Sequence, residues 1–102
     1  MADIENVDAY IAEEFQWFHR HPELSYEEVE TTQRIRASLE RAGLHILDLP
    51  LKTGVVAEVG TGNTILALRS DIDALPIEEQ TDLAYRSEHA GCMHACGHDF
   101  HI

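Results

Sequence analysis

The chain has little that could cross a membrane, grip a phosphate backbone or staple itself covalently. Across 102 residues no apolar run approaches the roughly 18 that a membrane span needs. The opening Met1-Ala2-Asp3-Ile4-Glu5 is acidic and lacks the basic start and apolar stretch of a signal peptide. Basic residues are scarce: 7 Lys and Arg against 19 Asp and Glu give a net charge of −12. Such a surface repels nucleic acid. Two cysteines, with no secretion signal, read as thiols rather than as a disulfide framework. These absences predict a cytoplasmic chain with neither a nucleic-acid nor a membrane partner. Its length suits one small domain, residues 1–102, and no internal repeat or linker divides it.

Apolar spacing supplies the first positive signal. Ile4, Val7, Ile11, Phe15 and Phe18 recur every three or four residues, the stripe of an amphipathic helix, with Trp17 beside it. Pro22 disfavours helical geometry at His21, so this helix should fade near His19-Arg20-His21. Ser25 with Glu28 fits a capping box that opens a second helix. Val29, Thr32, Ile35 and Leu39 form its buried stripe, and Gly43 caps it after Ala42. The period then changes. Val55–Val59 and Thr64–Arg69 read as strands joined at Gly60-Thr61-Gly62-Asn63, a β-hairpin. The second strand is apolar on both faces, which suits the inside of a helix-covered sheet. From Pro76 to Glu88 loop is expected. The fold class is therefore α/β: two helices followed by a β-hairpin and polar loops.

The chemistry gathers at the end. Gly91–His101 holds two thiols (Cys92, Cys96), three imidazoles (His94, His98, His101) and the Asp99 carboxylate. That is a supply of soft and borderline donors for a transition metal. Cys96 and His98 can reach one ion if the backbone turns, and Gly97 permits the turn. A closed structural zinc site from Cys92, Cys96, His98 and His101 is an alternative, as is a buried cysteine with capping histidines. Asp99 either orients a ligand or caps a helix. Asp71 and Asp73 stand where a strand exits, the place open α/β sheets put their chemistry, though either could serve an Asx-type turn before Pro76. His19 and His21 suit a plain helix C-terminus. Gly60-Thr61-Gly62 lacks the lysine and following helix of a phosphate loop and reads as a turn.

Taken together these pieces resemble the N-terminal part of the M20 metallopeptidase superfamily. The branch is the amidohydrolases: hippurate hydrolases, auxin-conjugate amidohydrolases and N-acetyldiaminopimelate deacetylases. The matching residues run Trp17-Phe18-His19-Arg20-His21-Pro22-Glu23-Leu24-Ser25, then Glu28 and Thr31, then Thr53-Gly54-Val55-Val56-Ala57. Ala67-Leu68-Arg69-Ser70-Asp71-Ile72-Asp73-Ala74-Leu75-Pro76-Ile77-Glu78 and Met93-His94-Ala95-Cys96-Gly97-His98-Asp99 complete the set. The resemblance implies a partial zinc-peptidase-like catalytic domain. It implies Cys96 and His98 as ligands of a centre holding two divalent ions, with manganese, zinc, nickel and cobalt as candidates. Asp71, near the metals, and Asp73 beside it are the implied catalytic carboxylates, and Arg69 is no ligand. The implied reaction is amide hydrolysis of a small N-acyl amino acid by a metal-activated water, in a complete form expected to dimerise. The family's general base is a Glu-Glu pair downstream of the Cys-Gly-His-Asp motif. Glu78-Glu79 precedes that motif and stands in the wrong place. The further ligands and an inserted smaller domain also lie downstream in the family. The expectation is an N-terminal fragment, inactive alone.

Overall fold

The computed structural model describes residues 7–102. Ile4, the first member of the apolar stripe, and the acidic opening lie outside the described residues. Helix α1 spans Val7–Arg20 and ends where the Pro22 argument places it. Asp8 in its first turn and His19 and Arg20 in its last complement the helix dipole. Helix α2 spans Val29–Arg41. Its C-terminus closes as the glycine implied. Gly43 takes φ +82°, its N–H bonds to Glu40 O at 3.0 Å, and Leu44 N–H bonds to Leu39 O at 3.1 Å.

The start of α2 differs from the expected capping box. Glu28 stands at the cap position without a side-chain cap bond. The orphan N–H groups of Glu30 and Thr31 bond instead to the Glu23 carboxylate, at 3.1 and 2.6 Å. Glu23 does from outside the helix what a capping serine does from its edge. Ser25 has no part in it. Glu28 and Thr32 face another way. Gly54 N–H donates to the Thr32 hydroxyl at 2.8 Å, tying the following loop to α2.

An antiparallel strand pair follows the helices as expected, with one strand inside the expected Val55–Val59 but the other from different residues. Strand β1, His45–Ile46, pairs with β2, Ala57–Glu58, in the register His45 to Glu58 and Ile46 to Ala57. Leu47 N–H continues the ladder to Val56 O at 2.8 Å. Thr64–Arg69 pairs with nothing among the described residues. Ile65, Leu66 and Leu68 stand 90%, 90% and 95% exposed. A strand needs a neighbouring edge to satisfy its backbone, and the short β1–β2 pair does not offer one there.

The segment from His19 to Leu24 is the hub of the fold. Arg20 O accepts from Glu88 N–H at 2.9 Å, and Glu23 O from Ala74 N–H at 2.8 Å. Pro22 O accepts from the His89 ring at 2.8 Å. Leu24 bridges Ala74 in parallel, and Leu75 bridges Met93 antiparallel. The carboxylate stretch near residue 73 and the thiol-rich tail are thereby drawn to the end of α1. Helix α3, His98–His101, closes the described chain.

Candidate functional site: a carboxylate-braced imidazole and an exposed thiol

Gly97 precedes α3 in the left-handed region, at φ +86° and ψ +8°. This is the turn that the Cys96-to-His98 spacing required, and glycine adopts it without steric cost. Cys96 is a free, exposed cysteine. His98 is half-buried, and its orientation is fixed. Nδ1 lies 2.9 Å from Asp73 O and 3.1 Å from Asp73 Oδ1. Both neighbours only accept, so Nδ1 carries a proton, and in the neutral ring Nε2 keeps the lone pair. Nε2 faces Asp71 Oδ2 at 4.0 Å, beyond hydrogen-bond reach. A carboxylate bracing one nitrogen while the other stays open is the arrangement of a metal-ligating histidine. Asp71 is held from the other side by Arg69, whose Nη2 donates to Oδ1 at 2.7 Å.

The donor chemistry suits a borderline divalent ion: one thiol, one neutral imidazole nitrogen and nearby carboxylates. Among the described residues no group of three or more His, Cys, Asp or Glu side chains converges closely enough to hold an ion. The donors fit part of a metal centre. They do not form the closed zinc site from Cys92, Cys96, His98 and His101. Cys92 is buried, and burial, reinforced by the charges of Glu23 and Glu27, pushes its thiol pKa up. A thiol so placed resists becoming the thiolate that zinc requires.

A second cluster lies behind the first. His19, at the end of α1, is 5% exposed. Its Nδ1 contacts Asp99 Oδ2 at 2.7 Å and its Nε2 contacts Glu79 Oε2 at 3.0 Å. Burial alone would lower the His19 pKa, but the bonds and charges of Glu79 and Asp99 outweigh it and the net shift is upward. The imidazolium is the form that donates to both. Glu79 is 3% exposed and saturated with donors. Oε1 accepts from Ser87 N–H at 2.7 Å, and Oε2 from His19 and the Thr81 hydroxyl. Burial would raise its pKa, yet these donors hold it low. Glu78 accepts from Gly91 N–H. His94 is 4% exposed, and neither ring nitrogen has a partner among the described residues. Burial keeps it neutral by lowering its pKa.

Sequence reasoning placed Asp71, Asp73 and His98 together, and the structure brings them together. It read His19 as a helix-end residue and missed the buried cluster. The signal existed. His19 lies one helical turn beyond Phe15, on the same stripe, four residues on.

The helices, the short strand pair and this partial donor set make up one portion of a larger peptidase-like domain. The comparisons specify it. The model of Peptidase family M20/M25/M40 matches residues 67–102. An N-acetylcysteine deacetylase of Bacillus subtilis is 58% identical over 86 residues, covering 81% of this chain and 23% of the relative. An N-acetyl-L-cysteine deacetylase of the same organism is 55% identical over 85 residues, covering 81% and 20%. The crystal structure of a dinuclear metal binding peptidase from the M20 family of Bacillus subtilis superposes with TM-score 0.92. That likeness is at 49% identity, over 97% of this chain and 28% of that one. The chain belongs to the M20 family and matches part of an M20 peptidase domain. It spans less than a quarter of the length of these two curated relatives.

Proposed function

We propose that this chain supplies the Cys96–His98 portion of the metal centre of an M20 amidohydrolase that cleaves N-acyl amino acids. The observation that carries the reading is the bracing of His98. Asp73 holds Nδ1–H, leaving the Nε2 lone pair open beside Asp71 and two residues from an exposed thiol. Divalent ions, when bound, would lower the pKa of a water and polarise the substrate carbonyl.

The chain's own residues prepare for that chemistry. Asp73 fixes the His98 tautomer and ring direction. Asp71, exposed and paired with Arg69, presents one oxygen toward Nε2. Neither Glu78 nor Glu79 is free to move a proton to a leaving amine, because each is already engaged by donors in the fold. The relatives support the substrate class. Two are deacetylases of an N-acetylated amino acid. The remaining ligands and the base belong, in this reading, to sequence beyond these residues.

A chimera tests it. The chain replaces the matched segment of the Bacillus subtilis N-acetylcysteine deacetylase. The chimera is expected to hydrolyse N-acetyl amino acids when supplied with manganese, zinc, nickel or cobalt, and to lose that activity with Cys96→Ala. A folded, metal-supplied chimera with full activity after Cys96→Ala would refute the reading.

A further inference from the structure

We propose that His19 is a positioning residue for the metal ligands, holding the Cys96-Gly97-His98 turn in place through Asp99. This rests on the reading of Cys96 and His98 as ligands. His19 touches neither of them. It contacts Asp99, the residue that follows His98 in the chain.

Helix α3 has four residues, too few to hold a shape by itself. At its ends Phe100 and His101 N–H bond to Gly97 O at 3.1 Å, and Ile102 N–H to His98 O at 3.0 Å. Something outside must fix where it sits. Phe100 cannot do so alone, because it is largely exposed, although its ring meets Phe15 edge-on at 6.1 Å. The Asp99 carboxylate is 5% exposed, and Oδ2 bonds to His19 Nδ1 at 2.7 Å across 80 residues of chain. Asp99 Oδ1 accepts from Phe100 N–H at 3.0 Å, so the side chain that reaches α1 also shapes the helix's own first turn.

His98 is thus held twice. Its ring is tethered to Asp73, and its backbone to α1 through Asp99 and His19. His19 in turn is fixed on its far side by Glu79, which Ser87 and Thr81 grip and whose carbonyl accepts from Arg86 at 3.0 Å. The relay therefore begins in the last turn of a 14-residue helix and ends one residue from a candidate ligand. Histidine is suited to the place. A single rigid ring donates in two directions, to two carboxylates at once. Glutamine reaches as far but donates from one side only, and turns its carbonyl oxygen toward the other carboxylate. Removing partners of this kind typically lowers metal affinity by about 10- to 100-fold.

The test is titration of the metal-free chimera described above with cobalt(II) alone, following the thiolate-to-cobalt charge-transfer band and the visible d–d bands. His19→Gln and Asp99→Ala are expected to weaken cobalt binding about 10- to 100-fold and to shift the d–d bands. Asp99→Asn keeps an oxygen for Nδ1–H and is expected to bind like the parent. Glu14→Gln, which removes the charge from the Arg34 pair between α1 and α2, serves as the stability control and is expected to leave the spectrum unchanged. If His19→Gln loses its helical circular dichroism, Asp99→Glu decides. It keeps charge and acceptor, lengthens the tether by a methylene, and is expected to weaken cobalt by the same factor. Parent-like affinity and spectra in the folded His19→Gln, Asp99→Ala and Asp99→Glu variants, alongside loss of binding in Cys96→Ala, would overturn the positioning role alone. Parent-like binding by Cys96→Ala would instead sink the ligand assignment beneath it.

Discussion

Two stretches of this chain stand in contrast. Around the end of α1, residues 71–79 and 87–101 are drawn together by buried polar bonds. Residues 64–69 carry one of the chain's most apolar runs and bury none of it. Among the described residues the buried apolar ones are Phe18, Pro22, Ala74 and Cys92, whereas the buried polar ones are His19, Glu28, Thr31, Glu79, His94 and Asp99. Order here comes more from buried polar groups, foremost the His19 side chain bonded to those of Glu79 and Asp99, than from an oily core. That is an expensive way to build a domain, because each buried charge must keep its partner. It is economical for holding ligands, because hydrogen bonds fix direction as well as distance.

The comparison can be broken most severely at its polar centre. In the chimera with the Bacillus subtilis deacetylase, His98→Ala should remove measurable hydrolysis of N-acetyl amino acids. Retention of most of the turnover, measured with saturating metal, would separate His98 from the chemistry. Next in size comes His19→Ala, which leaves two carboxylates buried without their shared cation. Urea unfolding of the chain should register about 3–5 kcal/mol of lost stability, the cost of stripping one partner from a buried pair. A loss under about 1 kcal/mol, the value typical of an exposed pair, would contradict the cluster's burial.

Acidity probes the same cluster with a definite sign. The His19 pKa is raised, so its contribution is full below the ordinary histidine value of about 6.5 and is lost as pH rises through the raised value. The Glu79 pKa is lowered, so its contribution is present above the ordinary carboxylate range and is lost as pH falls through the lowered value. Neutral, buried His94 adds to the loss on the acid side. Melting temperature should therefore peak between these limits. His19→Gln should flatten the alkaline limb, and an unchanged limb would assign it to other groups.

Smaller effects sharpen the contrast. Glu23→Ala frees two N–H groups at the start of α2 and should cost about 1 kcal/mol, as loss of a helix cap does. Ser25→Ala should cost nearly nothing. The exposed run is expected to be as insensitive. Leu66→Ser should change the stability of the chain by less than about 0.5 kcal/mol, since a side chain already in solvent has little to lose. A loss of several kcal/mol on equilibrium unfolding would mean that the run is packed.

Much of this was legible residue by residue, and the exceptions share a cause. The helical course of α1, its end before Pro22, the Gly43 cap and the Gly97 turn are local, set by spacing or by one residue's backbone preference, although Ile11 of the expected apolar stripe is exposed. The meeting of Asp73 with His98 came from recognising motifs, not from their spacing of 25 residues. The strand partners were misread because two apolar runs flanking a turn look like a hairpin, whatever edge each can reach. His45-Ile46 carries almost no signal of its own and yet provides the partner. The His19 cluster joins residues 60 and 80 positions apart, and only the helical phase of His19 hinted at it. Glu23 replaced Ser25 because a cap needs an acceptor at the right point in space, not at a given point in sequence.

The central claim is that Cys96 and His98 are ligands held in readiness by the buried cluster behind them. Metal content of the purified chimera tests it most directly, measured by elemental analysis before and after Cys96→Ala. The account predicts two divalent ions per site in the parent chimera and a clear loss of metal in the variant. Unchanged metal content in a folded Cys96→Ala chimera would contradict it.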